Sequence, residues 1–276
     1  MKRLVYLLLF TVTLPALSFT HRPLVWVAIG DSITYLNDHP NETGDRVTKG
    51  YMSRVTEKLS YLQYVNQGHN GWTSRGIARS IDTLGIPKAD VYSIFLGTND
   101  WWRGDHVGRW EDYASATGDT TVYGAFRIII DKIRSLNPDA AIVLVTPLQR
   151  GDFVYINNAK NNAYGSYRDK AGQTLEQVVN AIRDIGEHEH YKVVDLYHDR
   201  RLSVSNMVHY KRLKDPASGE YRNYSYPEYV DVPFTPGIDE YPYPPDAGNM
   251  TYDGLHPSDK GNAYIAKKLV KVLKKL

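Results

Sequence analysis

The chain contains no cysteine. That rules out disulfide staples, thiolate-bound metal and a lipid-modified cysteine behind a leader, so stability has to come from an ordinary hydrophobic core. It also lacks a charge surplus. The formal charge is +2 over 276 residues, and without Lys2 and Arg3 the basic and acidic residues balance at 31 each. A balance of that kind gives neither nucleic acid nor an anionic membrane a reason to bind, and neither is expected as a partner. There is no internal repeat and no low-complexity linker, so the mature chain reads as one domain of ordinary globular composition. The dense histidine cluster His188-Glu189-His190 lacks the His-Glu-x-x-His spacing and falls at a helix end, so it reads as solvated surface; no metal and no cofactor are expected.

The long apolar run that is present lies at the start. Met1 to Ser18 places Lys2 and Arg3 ahead of the run Leu4 to Leu17, with small residues at Ala16-Leu17-Ser18. The run is shorter than the roughly 20 residues that span a bilayer and is interrupted by Thr11, Thr13 and Pro15. It reads as a cleaved secretory signal, leaving residues 19–276 as a secreted or periplasmic domain with no stable membrane anchor. The lysine-rich end, Lys267 to Leu276, is expected to be a packed terminal helix. Three Asn-x-Ser/Thr matches, at Asn41, Asn223 and Asn249, are treated as chance.

Between these ends, apolar runs alternate with helical patterns. Leu24 to Ile29, Val91 to Leu96, Ala141 to Val145 and Lys192 to Leu196 read as buried strands, with a shorter one near Gln63 to Val65. Tyr51 to Leu59, Ser74 to Leu84, Tyr123 to Leu136 and Gly172 to His188 carry apolar residues at helical spacing, and Pro138 stops the third. This is the rhythm of an α/β fold with a parallel sheet. Asn37 to Lys49 and Trp101 to Thr121 read as polar functional loops. Asp199 to Asn249 breaks the rhythm: seven tyrosines and seven prolines mark it as an ordered loop excursion over the active-site face, the alternative being that the aromatic side chains serve simply to pack the loop down.

Four stretches carry chemistry. Val25 to Thr34 ends an apolar strand at Gly30-Asp31-Ser32, placing a hydroxyl at the carboxyl end of a strand, where open α/β sheets hold their ligands. Asn66 to Ser74 follows the short second strand with a glycine, Gly71, that lets a backbone N–H approach a ligand. Gly97-Thr98-Asn99-Asp100 puts an amide donor at the same edge. Asp253-Gly254-Leu255-His256-Pro257 sets a carboxylate three residues before an imidazole, close enough to orient it as a base. Each alone is ordinary turn or cap chemistry. Together they supply a nucleophile, a backbone donor, an amide donor and a base.

In all four blocks and in their order, the sequence resembles the SGNH hydrolases, also called the GDSL esterase/lipase family. The resemblance implies a flavodoxin-like three-layer α/β/α sandwich with a five-stranded parallel sheet. It also implies a triad of Ser32, Asp253 and His256, and an oxyanion hole formed by the Ser32 N–H, Gly71 and Asn99. The Gly-x-Ser-x-Gly elbow of the α/β-hydrolases is absent, so that rival serine-hydrolase fold loses its main support. Asp31, Trp72, Trp101 and Trp102 are the candidate substrate-contacting residues, because aromatic faces beside polar groups suit sugar rings. The resulting expectation is an exported serine esterase that removes short acyl groups, acetyl first, from a carbohydrate or other small ester. A lipase, lysophospholipase or thioesterase of the same family is the alternative, although no long apolar lid lies between the blocks. A non-catalytic glycan-binding protein is a second alternative, against which the intact trio argues.

Overall fold

The computed structural model describes residues 22–276; the signal reading of Met1–Ser18 lies outside the described residues. In chain order the elements are β1 (Leu24–Gly30), α1 (Ser32–Tyr35), α2 (Tyr51–Lys58), β2 (Leu62–Gly68), α3 (Ser74–Ser80), β3 (Val91–Phe95), α4 (Thr98–Arg103), α5 (Trp110–Ala114), α6 (Val122–Leu136), β4 (Ala141–Val145), β5 (Phe153–Tyr155), β6 (Asn158–Ala163), α7 (Leu175–His188), β7 (Lys192–Val194), β8 (Lys211–Lys214), β9 (Tyr221–Tyr224) and α8 (Asp259–Leu273). Five strands pair in parallel in the order β2-β1-β3-β4-β7. The fold is the expected α/β/α sandwich.

Strand β1 sits inside the sheet and is covered on both sides, which is why it reads as a continuous apolar run. Its side chains alternate. Val27 and Ile29 pack with Ile77 of α3 and with Phe126, Ile129 and Ile133 of α6. Trp26 and Ala28 face the other way, onto Met52 and Val55 of α2 and Ile265 and Leu269 of α8. The buried hydroxyl of Ser93 on β3 is not orphaned, because Trp26 Nε1 donates to it at 2.9 Å. Helix α6 shows how sequence sets an element's limits: the Thr121 hydroxyl accepts from Gly124 N at 3.1 Å to open it, and it ends before Pro138. Removing such a cap typically costs about 1 kcal/mol.

The order of the strands places the site. The chain winds from β1 outward to β2 on one side and to β3, β4 and β7 on the other, so the winding reverses between β1 and β3. Crevices open at such switch points, beyond the carboxyl ends of the strands. The register brings those ends level: Gly30 pairs with Gly68 on one side and with Phe95 on the other. The segments that follow β1, β2 and β3 therefore converge.

Two regions depart from the sequence reading. The Trp101–Thr121 stretch is not a plain loop, since it holds the second half of α4 and all of α5. Two antiparallel hairpins also lie outside the main sheet, β5–β6 and β8–β9, neither of which was anticipated. The Asp199–Asn249 excursion contains β8–β9 and forms a small core of its own from Leu213, Tyr224, Tyr229 and Tyr243 around Val154 of β5. Tyr241 OH donates to Val154 O at 2.9 Å, and Lys211 Nζ pairs with Asp152 at 2.9 Å. No residue of the excursion lines the cavity at the strand ends. It buttresses the β5–β6 hairpin from behind instead of covering the site.

Candidate active site

Ser32 is the first residue of α1. Gly30 allows the sharp turn from β1 into that helix, because a Cβ there would come within 2.0 Å of Thr34 Oγ1. Asp31 caps the helix by accepting from Ile33 N at 3.0 Å. At the first position of a helix the Ser32 N–H has no intrahelical partner, so it is free to meet a ligand.

His256 and Asp253 arrive from the loop before α8. Ser32 Oγ lies 2.9 Å from His256 Nε2, and His256 Nδ1 lies 2.7 Å from Asp253 Oδ2. Asp253 is fully buried and its Oδ1 also accepts from Leu255 N at 3.0 Å and His256 N at 2.7 Å. A carboxylate accepts only, so the imidazole proton sits on Nδ1 and leaves Nε2 to accept from the serine hydroxyl. Such a chain can draw a proton from a hydroxyl and hold it while a carbonyl is attacked.

The donors come from the next two strand ends. After β2, His69 O accepts from Trp72 N at 3.1 Å, closing a turn in which Gly71 has φ +76°. That conformation strains residues with a side chain, which explains glycine at the position. After β3, Asn99 Nδ2 donates to Trp72 O at 2.9 Å, which orients the amide and leaves its second N–H unused by that bond. Ser32, Gly71, Asn99 and His256 all border one cavity of about 640 Å³.

The four candidate substrate-contacting residues divide. Trp102 lines the cavity. Trp72 lies in a neighbouring cleft with Arg79 and Arg103, its ring 4.7 Å from that of His69; the backbone carbonyl of Trp72, and not its indole, serves the site. Trp101 is fully buried, donating from Nε1 to Gln173 O at 3.1 Å, and so cannot meet a sugar. Asp31 is 2% exposed and spent on its cap; burial pushes its carboxyl up to about 6, against the Ile33 N–H and His256, which pull it down. The expectation for Trp101 and Asp31 is therefore corrected.

Sequence reasoning also missed part of the cavity wall. Phe153 and Tyr155 of β5, Asn161 of β6, and Arg150 and Lys170 beside the hairpin all face the cavity. The Phe153 ring stands edge-on to His256, with centroids 5.2 Å apart. The β-branched and aromatic run Phe153–Ile156 followed by Asn157-Asn158 is a hairpin signal that could have been read. Among the described residues no group of three or more His, Asp or Glu side chains converges as a metal site.

A parallel sheet with this order, carrying Ser, Gly, Asn and His at one edge, defines an SGNH-type hydrolase. The chain matches the model of the GDSL-like lipase/acylhydrolase family over residues 28–264, and it belongs to that family of carboxylic ester hydrolases. Among solved structures, a possible lipase from Chitinophaga pinensis DSM 2588 is 64% identical, with a TM-score of 0.91 over 91% of this chain and 98% of that one. An acetyl xylan esterase, AlAXEase, shares the fold at 18% identity and TM-score 0.54, covering 91% of this chain and all of its own (100%). A catalytic mutant of Axe2, an acetylxylan esterase from Geobacillus stearothermophilus, does so at 18% identity and TM-score 0.51, with 90% and 93% covered. No curated protein matches the chain.

Proposed function

We propose that Ser32 is the nucleophile, His256 the base and Asp253 the group that orients it. The observation that carries this is the unbroken chain from Ser32 Oγ through the imidazole to a buried carboxylate, at 2.9 and 2.7 Å. In this reading His256 takes the serine proton while the Ser32 oxygen bonds to the ester carbonyl carbon. The negative charge that develops on the carbonyl oxygen meets the N–H groups of Ser32 and Gly71 and the amide of Asn99. Collapse expels the alcohol, which receives the proton from His256. Water, deprotonated by the same imidazole, then releases the acid from the acyl-enzyme.

For substrate, the proposal is a short acyl group, acetyl first, on a carbohydrate outside the cytoplasm, with Met1–Ser18 acting as the export signal. Polar and charged side chains, Asn70, Asn99, Asn161, Arg103, Arg150 and Lys170, surround Ser32 and are poorly suited to a long acyl chain. Trp102, Phe153 and Tyr155 supply the aromatic faces for a sugar ring. Two proteins sharing the fold are named as acetylxylan esterases, at identities that speak for the fold alone. The 64% identical Chitinophaga protein is described as a possible lipase, which favours the competing reading. Nitrophenyl esters of acetate, butyrate, octanoate and palmitate separate the two: falling kcat/KM with chain length supports the short-acyl reading, and a preference for octanoate or longer replaces it with the lipase. Ser32→Ala that retains wild-type turnover of nitrophenyl acetate overturns the nucleophile. N-terminal sequencing of the mature protein tests the signal.

A further inference from the structure

The chemistry just described leaves Arg150 without a task. It lies beyond the carboxyl end of β4, borders the same cavity as Ser32, and is 1% exposed. Its guanidinium rests on three rings, 5.5 Å from the centroid of Trp101, 5.6 Å from Trp102 and 5.9 Å from Phe153. Nε and Nη2 have no hydrogen-bond partner. Those two nitrogens form one edge of the guanidinium, the fork that matches the two oxygens of a carboxylate.

The nearby carboxylates do not fill that fork. Asp253 and Asp152 are the acidic groups that act most on Arg150, and every one of their oxygens is engaged elsewhere. Both oxygens of Asp253 serve the His256 loop. Asp152 Oδ1 accepts from Gly165 N and Tyr167 OH, and its Oδ2 accepts from Lys211 Nζ. Burial pulls Arg150 down to about 10, still charged at neutral pH. A buried, charged donor pair without an acceptor is costly, and clefts tolerate it where a ligand brings the acceptor.

The surroundings point to the same kind of ligand. Lys170 and Arg103 border the cavity with Arg150, and no Asp or Glu does. Lys170 Nζ lies 4.3 Å over the ring of Trp102, on the same aromatic bed as Arg150. We propose that the alcohol portion of the substrate carries a carboxylate, which docks on Arg150 with Lys170 beside it while the acyl carbonyl lies at Ser32. The fork is closed to water in this structure, so docking requires the guanidinium to turn on its aromatic bed toward the cavity. Within the carbohydrate reading this makes the substrate an acylated acidic sugar, either a uronic acid unit of a polysaccharide or a free sugar acid. The inference rests on Ser32 being the nucleophile.

The test compares para-acetoxybenzoate with para-acetoxybenzamide, acetyl esters of nearly equal shape that differ by one charge, each rate being referred to that ester's own alkaline hydrolysis. The wild-type protein is expected to favour the acid by about tenfold in kcat/KM, chiefly through KM, with the preference shrinking as salt is added. Arg150→Met and Lys170→Ala should each lower the ratio of acid to amide. Lys170 is partly exposed, so its variant carries the test if Arg150→Met does not fold. Hydrolysis of both esters without preference for the acid overturns the inference and leaves Ser32 in place. Hydrolysis of neither overturns the short-acyl reading, and this inference with it, while Ser32 is judged separately by the Ser32→Ala variant. Acetate release from acetylated polygalacturonate or from O-acetylated sialic acid then separates the two sources, and a preference for acetylated xylan over both again overturns the acidic-sugar proposal.

Discussion

Asp100 holds Ser74 twice, accepting from its backbone N–H at 2.9 and 3.1 Å and from its hydroxyl. This ties the turn after β3 to the start of α3, so that Gly71 and Asn99 are carried on one mount. Their relative position is held by this carboxylate together with the direct Asn99–Trp72 hydrogen bond.

Asp100→Ala should therefore lower both stability and turnover. It leaves two buried donors of Ser74 without an acceptor, at about 1–3 kcal/mol each. Asp100→Asn keeps an acceptor and should be milder. Urea midpoints and kcat on nitrophenyl acetate check both, and an Ala variant as stable and as active as wild type would remove the mount from the argument.

If Asn99 meets the oxyanion as proposed, Asn99→Ala should cost about 100- to 1,000-fold in kcat with little change in KM, because such a donor acts on the charge that develops after binding. Activity should not vanish, since the N–H groups of Ser32 and Gly71 remain. Steady-state kinetics decide it; a variant altered only in KM would place the amide on the ground-state substrate.

The two adjacent tryptophans should behave differently. Trp101 is fully buried, so Trp101→Ala opens a core cavity and should destabilise the fold by about 3–5 kcal/mol. Trp102 borders the cavity and packs only partly against the core, so Trp102→Ala should raise KM for the substrate and lower the melting temperature by less than Trp101→Ala does. Thermal melts alongside kinetics on both variants give the comparison.

Burial raises the carboxyls of Asp31 and Asp100 to about 6 each. The folded state then binds the proton more tightly than the unfolded chain, where a free Asp titrates near about 3.9. The stabilisation from this proton is complete below the unfolded value and is lost as pH rises through the folded one. Asp31→Asn cannot ionise, so its stability relative to wild type should rise between about pH 4 and pH 6, by at most about 1.4 kcal/mol per pH unit. Urea titrations at several pH values measure the difference, and a constant offset would show that Asp31 does not titrate there.

The sheet was legible because its strands are buried on both faces, which turns Leu24 to Ile29 and Val91 to Leu96 into apolar runs that a sequence displays openly. Ser32, Gly71, Asn99 and His256 were legible for a related reason: each follows the end of a run or precedes a helix. In hairpin β5–β6 only the first strand carried a readable signal, since Asn158–Ala163 presents mostly polar residues to solvent and to the cavity and has no apolar stripe. Arg150 was hidden by chemistry, because an arginine five residues past a strand ordinarily points to water. Trp101 and Trp102 are neighbours of the same type, and only helix α4 decides which of them turns inward.

The separation of Ser32 from His256 by 224 positions also sets the order in which the site is assembled. As the chain is synthesised from its amino end, Ser32, Gly71 and Asn99 are all made before His256 is. Every intermediate short of residues 253–256 holds a serine with no base. Under the proposed triad, hydrolytic activity therefore depends on residues 253–256 just ahead of α8, and a chain cut short of them should be inactive.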